Sequence, residues 1–447
     1  MKKIFKPARA LFVTSVLGAT LSGCGIGGIG VAGPQYNNDG AIVLDFWHGQ
    51  GGDAGTMLEE NVDDFNEEHR GEIYVNAIYQ GGYEENFTKL AANIQTGNVP
   101  VLMQANDIQT SYMKDSGITL PMQEALGDDA DEVIDNLQPT VANYYVLDGE
   151  LWSMPLFTSL PVAYINTDIL VEAGIDRSEL VTFDDYFDAA DTIYEETGIP
   201  GLVFATNAWF NEEFTAGLNQ IYCAPDNGVR GERADSMAFL TEDFVRLWER
   251  IQEGYERGSI VNVGPDGNAG ANLLTSGNVG MQFNSSANVT SVQDSGINFA
   301  VQQLPIASEE AGQVPGGNSL WVLDENKTQE EVDAAVEFAR YVHSDTWQSE
   351  VLDRSGGVPN TISGAENSTH NAPQQQALID ILEDIPPTVE TAGCHMGALS
   401  QVRVEVENAV QAVADGDDVR EAFEEMEGKI DLHIERYENR AEATAEE

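Results

Sequence analysis

The chain is poor in lysine. Beyond residue 30 it has only Lys89, Lys114, Lys327 and Lys429, against 75 acidic residues, and its formal charge is −54. Nucleic acids are held by basic side chains that displace counterions from phosphate, so this deficit excludes a nucleic-acid partner. Cysteine is scarce as well, with Cys24, Cys223 and Cys394 alone, and no C-x-x-C, H-E-x-x-H or G-x-S-x-G string occurs. The six histidines (His48, His69, His343, His370, His395, His433) are scattered, so no local metal motif exists and neither a metal nor a cofactor is expected. No apolar run reaches membrane-spanning length. Internal repeats and low-complexity stalks are also missing, which leaves a structural or adhesive surface protein without support.

What is present begins with an export signal. Lys2, Lys3, Lys6 and Arg9 precede an apolar run from Ala10 that includes Leu11, Phe12, Val13, Val16 and Leu17, the pattern of a signal peptide. The run ends in Leu21-Ser22-Gly23-Cys24, which resembles the bacterial lipobox. That resemblance implies cleavage after residue 23, a lipid on Cys24, and a location outside the cytoplasm, on the outer face of the cell membrane. Loss of the four basic residues in 1–23 takes the formal charge to −58. Abundant Asp and Glu with little Lys keeps a protein hydrated in strong salt, where screening shortens self-repulsion to roughly 3 Å at 1 M. A saline habitat and ordinary acidic solubility both account for it. Export also places Cys223 and Cys394 where a disulfide is allowed, although spacing does not say whether they meet.

Residues 24–40 form a small, polar, turn-rich tether. The G-x-G-x-x-G match at Gly25, Gly27 and Gly30 has no strand before it and Pro34 after it, so it is linker and not a dinucleotide fingerprint. From Ala41 short apolar runs alternate with amphipathic segments. Strands are expected near 42–47, 73–79, 101–103, 202–204, 279–283 and 300–301, and helices near 87–94, 183–197, 239–255, 332–343, 399–414 and 419–437. A strand-like run over 151–165 is punctuated by Pro155 and Pro161. Helices between such strands predict an α/β fold with parallel sheets covered on both faces. Asp415-Gly416-Asp417-Asp418 lacks the ligand spacing of a calcium loop and is a helix-joining turn.

An ordered series of strings resembles the extracellular solute-binding proteins of ABC importers, in particular the glycerol-3-phosphate-binding group. It comprises Phe46-Trp47-His48, Asp64-Phe65-Asn66-Glu67, Gly82-Tyr83-Glu84-Glu85-Asn86, Thr96-Gly97-Asn98-Val99-Pro100, Gly149 to Pro155, Pro161 to Asn166, Gly316 to Trp321, Gly357-Val358-Pro359 and Gln401-Val402-Arg403. The resemblance implies a periplasmic-binding-protein-like fold, two α/β lobes with a hinge and a ligand cleft between them. It places lobe I at 41–147 with 304–360, lobe II at 148–303 with 361–440, and a tail at 441–447. It implies a monomer that takes up a small-molecule solute and hands it to ABC permease subunits and their ATPase, touching the membrane through its lipid only.

Carried over by position, the ligand contacts of that group fall on Tyr83, Asp107, Ser159, Ser285, Gly317 and Arg403. Arg403 offers a charged fork to phosphate, or pairs with Glu405 or Glu407 on its own helix; Asp107 accepts from hydroxyls. Trp209 is an indole for a sugar face, or a buried core residue. Gly357 stands where the group has a tyrosine, and Asp107 where it has a glutamate. These departures loosen the case for glycerol-3-phosphate and admit a glycerophosphodiester or a mono- or oligosaccharide. Many carboxylates also invite a secreted glycosidase, yet 75 acidic residues guarantee chance pairs, so no enzyme is expected.

Overall fold

A computed structural model describes residues 33–369 and 372–445, with side chains to Asn439 in the last helix. The signal segment, the lipobox with Cys24, and the glycine match at 25–30 lie outside the described residues.

Two sheets organise the chain. In the first the strands run Ile73–Tyr79, Ile42–His48, Leu102–Asn106, Gly316–Leu323, Thr119–Leu120, and Met154–Ser159 also pairs with Gly316–Leu323. In the second the order is Ile260–Asn262, Leu202–Phe204, Met281–Ser285, Pro161–Asn166, Phe299–Gln303. Neither sheet is wholly parallel, which corrects the expectation from strand and helix alternation. The first three strands of each sheet are parallel. Gly316–Leu323, Pro161–Asn166 and Phe299–Gln303 enter antiparallel. A parallel pair needs a crossover of a dozen or more residues, and these strands arrive from the other sheet or by other routes.

Within the run 151–165, Met154–Ser159 and Pro161–Asn166 are two strands in two sheets, separated by Leu160 alone. Leu160 donates to Ser286 Oγ (3.0 Å) and accepts from Ser286 N–H (2.7 Å), which fixes the crossing to the second sheet. Met154–Ser159 therefore belongs with the first sheet, and the break expected at 147/148 falls at Leu160 instead. The chain returns between Phe299–Gln303 and Gly316–Leu323. It passes over again after Val358, which bridges Thr158, to the helix Pro373–Asp384 on the second unit.

Local signals set the helices. Phe183–Thr197 opens on Thr182, whose N–H donates to the Asp185 carboxylate (2.7 Å), and stops at Gly198 in the left-handed conformation, φ 72°. Phe46, Phe65, Leu102, Phe338 and Trp347 fill the first core, and Phe187, Phe204, Phe214, Trp248, Val402 and Phe423 the second. Cys223 and Cys394 are bonded, with Cα atoms 5.7 Å apart across 171 residues of sequence. Among the described residues no helix is long and apolar enough to cross a membrane, and no group of three or more His, Cys, Asp or Glu side chains is placed to hold a metal ion. Asp418 caps the last helix by accepting from Glu421 N–H at 3.0 Å.

Candidate ligand-binding site

Where the chain crosses between the sheets, several strand and helix ends converge. Asp107 follows the strand Leu102–Asn106 and is buried; its two oxygens accept from the N–H groups of Ile108 (2.7 Å) and Gly317 (3.0 Å). Burial pushes its carboxyl up to about 6, and Glu212 adds to the rise while Arg403 and the two backbone donors pull it down. A methyl on Gly316 would lie 3.6 Å from each of Asp107 Oδ2, Ser159 Oγ and Trp209 Cζ2. Gly316 thus marks a point on which three of the expected contacts converge. Trp209 is only partly buried; it packs on Phe210 at the margin of the second core and turns a ring edge to this point.

Gly317 is required by the backbone. Its φ is +149°, and a Cβ there would sit 2.1 Å from the Phe157 carbonyl of the neighbouring strand. Gly317→Ala is expected to cost about 3 kcal/mol or more and to prevent recovery of folded protein. Gly316→Ala should melt within about 0.5 kcal/mol of wild type, but its methyl occupies the point of convergence and should lower solute affinity about tenfold. Thermal melts and calorimetry on the two variants separate these roles.

Tyr83 opens the helix Tyr83–Ile94. Its hydroxyl donates to Gln50 Oε1 (2.8 Å) and accepts from Asn318 Nδ2 (2.9 Å); Gln104 closes the network by donating to Asn318 Oδ1 (2.8 Å). Burial drives the phenol upward, so it stays protonated. Ser285 is not joined to the Asp107 group by any hydrogen bond among the described residues. Its Oγ accepts from Ala287 N–H (3.2 Å), and its strand partner is Pro161, two residues past Ser159.

Arg403 does not pair along its own helix. Glu405 faces His433 at 3.2 Å, and Glu407 accepts from Ala208 N–H at 3.4 Å. The guanidinium instead donates to Glu212 Oε2 at 2.5 Å, with side chains 16% and 5% exposed. Glu212 Oε1 accepts from Cys394 N–H (2.8 Å), so the disulfide-bonded segment holds the carboxylate in place. Its neighbour Glu213 accepts from Val314 N–H (2.9 Å); burial and the Glu212 charge push its carboxyl well above the usual range. Glu212 and Glu213 were not among the residues expected from the sequence. Their signal was two adjacent carboxylates in the helix Ala208–Gly217, of which every residue but Trp209 is buried. At Gly357 a Cβ would lie 2.8 Å from the Thr158 carbonyl and 2.9 Å from Val351, so the backbone there leaves no room for a side chain.

A second set of contacts joins the two units at the rim. The Asp115 carboxylate, at the end of the first-unit helix Thr110–Asp115, accepts from Arg233 (2.6 Å) and from the Tyr437 hydroxyl (2.9 Å) of the second unit. Arg233 also lies over the Tyr437 ring, 5.8 Å from its centroid. Exposed charge pairs contribute about 0.2–1 kcal/mol, so Asp115→Ala or Arg233→Ala is expected to weaken solute binding roughly two- to fivefold. The same variants should shift the small-angle scattering of the ligand-free protein toward a more extended form; an unchanged curve contradicts this.

Comparison with known proteins settles the family. A family model described as bacterial extracellular solute-binding protein matches residues 60–377, more than two thirds of the chain. The chain belongs to the bacterial extracellular solute-binding proteins. Among relatives of this solute-binding protein is the sn-glycerol-3-phosphate-binding periplasmic protein UgpB of Brucella melitensis, 27% identical over 83% of this chain and 88% of the relative. The corresponding protein of Rhizobium meliloti is 26% identical over 86% and 91%. The cyclic alpha-maltosyl-1,6-maltose binding protein of Arthrobacter globiformis superposes with a TM-score of 0.72 at 18% identity, over 89% of this chain and 100% of that one. UgpB of Mycobacterium tuberculosis, solved with glycerophosphocholine, gives 0.72 at 17% identity over 88% and 98%. These likenesses show the periplasmic-binding-protein-like fold.

Proposed function

We propose that this solute-binding protein takes a small hydroxyl-bearing solute, glycerol-derived or a sugar, into the group formed by Tyr83, Asp107, Ser159, Trp209, Gly317 and Arg403. It releases the solute chemically unchanged to the permease subunits and ATPase of an ABC importer. The observation that carries this reading is the convergence on Gly316: a carboxylate acceptor, a hydroxyl and an indole edge surround one point between the two sheets. An acceptor for hydroxyls beside a flat aromatic is the usual division of labour in a site for polyols. The curated relatives named for glycerol-3-phosphate support the glycerol side of the reading, and the maltose-type neighbours in fold are compatible with a sugar.

The two sheets act as lobes that close by hinge motion, with the first spanning 41–159 and the return strand Gly316–Leu323. Ser285 contributes from the second lobe when the solute is bound. Outside the cytoplasm the chain works as a monomer tethered by a lipid on Cys24; the Cys223–Cys394 bond fits an oxidising compartment. Thermal shift with glycerol-3-phosphate, glycerophosphocholine and maltose tests the reading. A true solute stabilises by about 2.7 kcal/mol at a hundred times its Kd and is recovered intact by mass spectrometry. Conversion of the solute would mean an enzyme, and no response to any of the three contradicts the proposal.

A further inference from the structure

The charges around the candidate site favour one class of solute, and this inference rests on the solute-binding reading above. Arg403 is the cation that acts on Asp107, Glu213, Tyr144 and Tyr222 alike. It is already matched by a carboxylate held at 2.5 Å. Glu212 cannot swing away freely: one oxygen bonds the guanidinium and the other the Cys394 backbone, and its side chain is 5% exposed. Asp107 adds a second carboxylate, fixed by two backbone donors. Glu84 feels the Arg403 charge too, opposed there by Glu85 and Glu407. Arg403 still presents a buried Nε–H with no partner among the described residues, a donor for a neutral oxygen.

We propose that Glu212 sets the charge class of the solute, holding Arg403 as a neutralised donor so that the site accepts molecules of no net charge and rejects phosphate dianions. A neutral polyol or sugar gains the Asp107 acceptor and the free Arg403 donor without adding charge. A phosphomonoester places two negative charges beside two carboxylates that share a single guanidinium. The whole-chain charge of −54 acts in the same direction at low salt.

Calorimetry at pH 7.5 and low salt tests this with glycerol-3-phosphate as the dianion, glycerophosphocholine as the zwitterion and maltose as the neutral probe. Wild type is expected to bind one of the latter two more tightly than glycerol-3-phosphate. Glu212→Gln keeps an oxygen for Cys394 N–H and releases Arg403, and it should raise affinity for glycerol-3-phosphate at least tenfold. Asp107→Asn, which also removes one carboxylate, should move the ratio of glycerol-3-phosphate to net-neutral affinity the same way, so a fold defect in one variant leaves the other to decide. Wild-type binding of a net-neutral probe with no gain for glycerol-3-phosphate in either folded variant overturns the role of Glu212 alone. Tightest wild-type binding to glycerol-3-phosphate does the same. Failure of wild type and both variants to bind any of the three overturns the solute-binding site as well.

Discussion

Arg403→Ala should lose both solute binding and several kcal/mol of stability. The guanidinium is the partner of a carboxylate that is 5% exposed, and Asp107 stands in the same buried group. Removing one member of such a pair leaves the other charge buried and uncompensated, at a cost of about 3–5 kcal/mol. For a net-neutral solute, losing a hydrogen bond to a charged donor costs about 1.5–3 kcal/mol, so affinity should fall roughly tenfold or more. The double variant Arg403→Met with Glu212→Leu separates the two effects, because replacing a buried pair by apolar groups of similar volume is often close to neutral. Its stability should recover toward wild type while binding stays lost. Denaturation with urea and calorimetry on the single and double variants check this. An Arg403→Ala protein as stable as wild type would mean that the pair does not hold the group together.

The Cys223–Cys394 bond should have the second-largest effect. It closes 171 residues of chain, so its removal by Cys223→Ser with Cys394→Ser should cost about 2–5 kcal/mol through the freedom returned to the unfolded chain. Solute affinity should fall too, because Cys394 N–H is what orients Glu212 against Arg403. Urea midpoints of the oxidised, reduced and substituted proteins measure the first effect. Identical midpoints in all three contradict it.

How much was legible in the sequence follows from what kind of contact made each feature. Periodicity gave the helices 183–197 and 399–414 to the residue, since capping and apolar spacing are local. Strand direction was not local. The parallel expectation failed at Gly316–Leu323 and Pro161–Asn166, where the chain changes sheets and the strands run antiparallel to their neighbours. Two prolines in 151–165 marked the place without showing that Leu160 alone separates the sheets.

The resemblance named Tyr83, Asp107, Ser159, Gly317 and Arg403 by position, and the structure brings Asp107 and Ser159 to one point beside Gly316. Their partners were not legible. Glu212 lies 191 residues from Arg403, and nothing within a helix turn of either announces the pair. Glu405 and Glu407 looked like partners by spacing, yet each is engaged elsewhere. Gly357 read as a lost phenol, whereas the backbone there packs against the Thr158 carbonyl. The cysteines were left open for the same reason that Glu212 was missed: their meeting is a property of the folded second unit.

The most direct test of the central claim is the tryptophan emission of the protein titrated with the solute that stabilises it. Trp248, Trp321 and Trp347 are fully buried, whereas Trp209 edges the point on which Asp107 and Ser159 converge. A solute held there is predicted to give a saturable change in emission that disappears in Trp209→Phe while the melting temperature of that variant stays near wild type. Retention of the full change in Trp209→Phe, with unaltered affinity, would place the solute elsewhere and contradict the account.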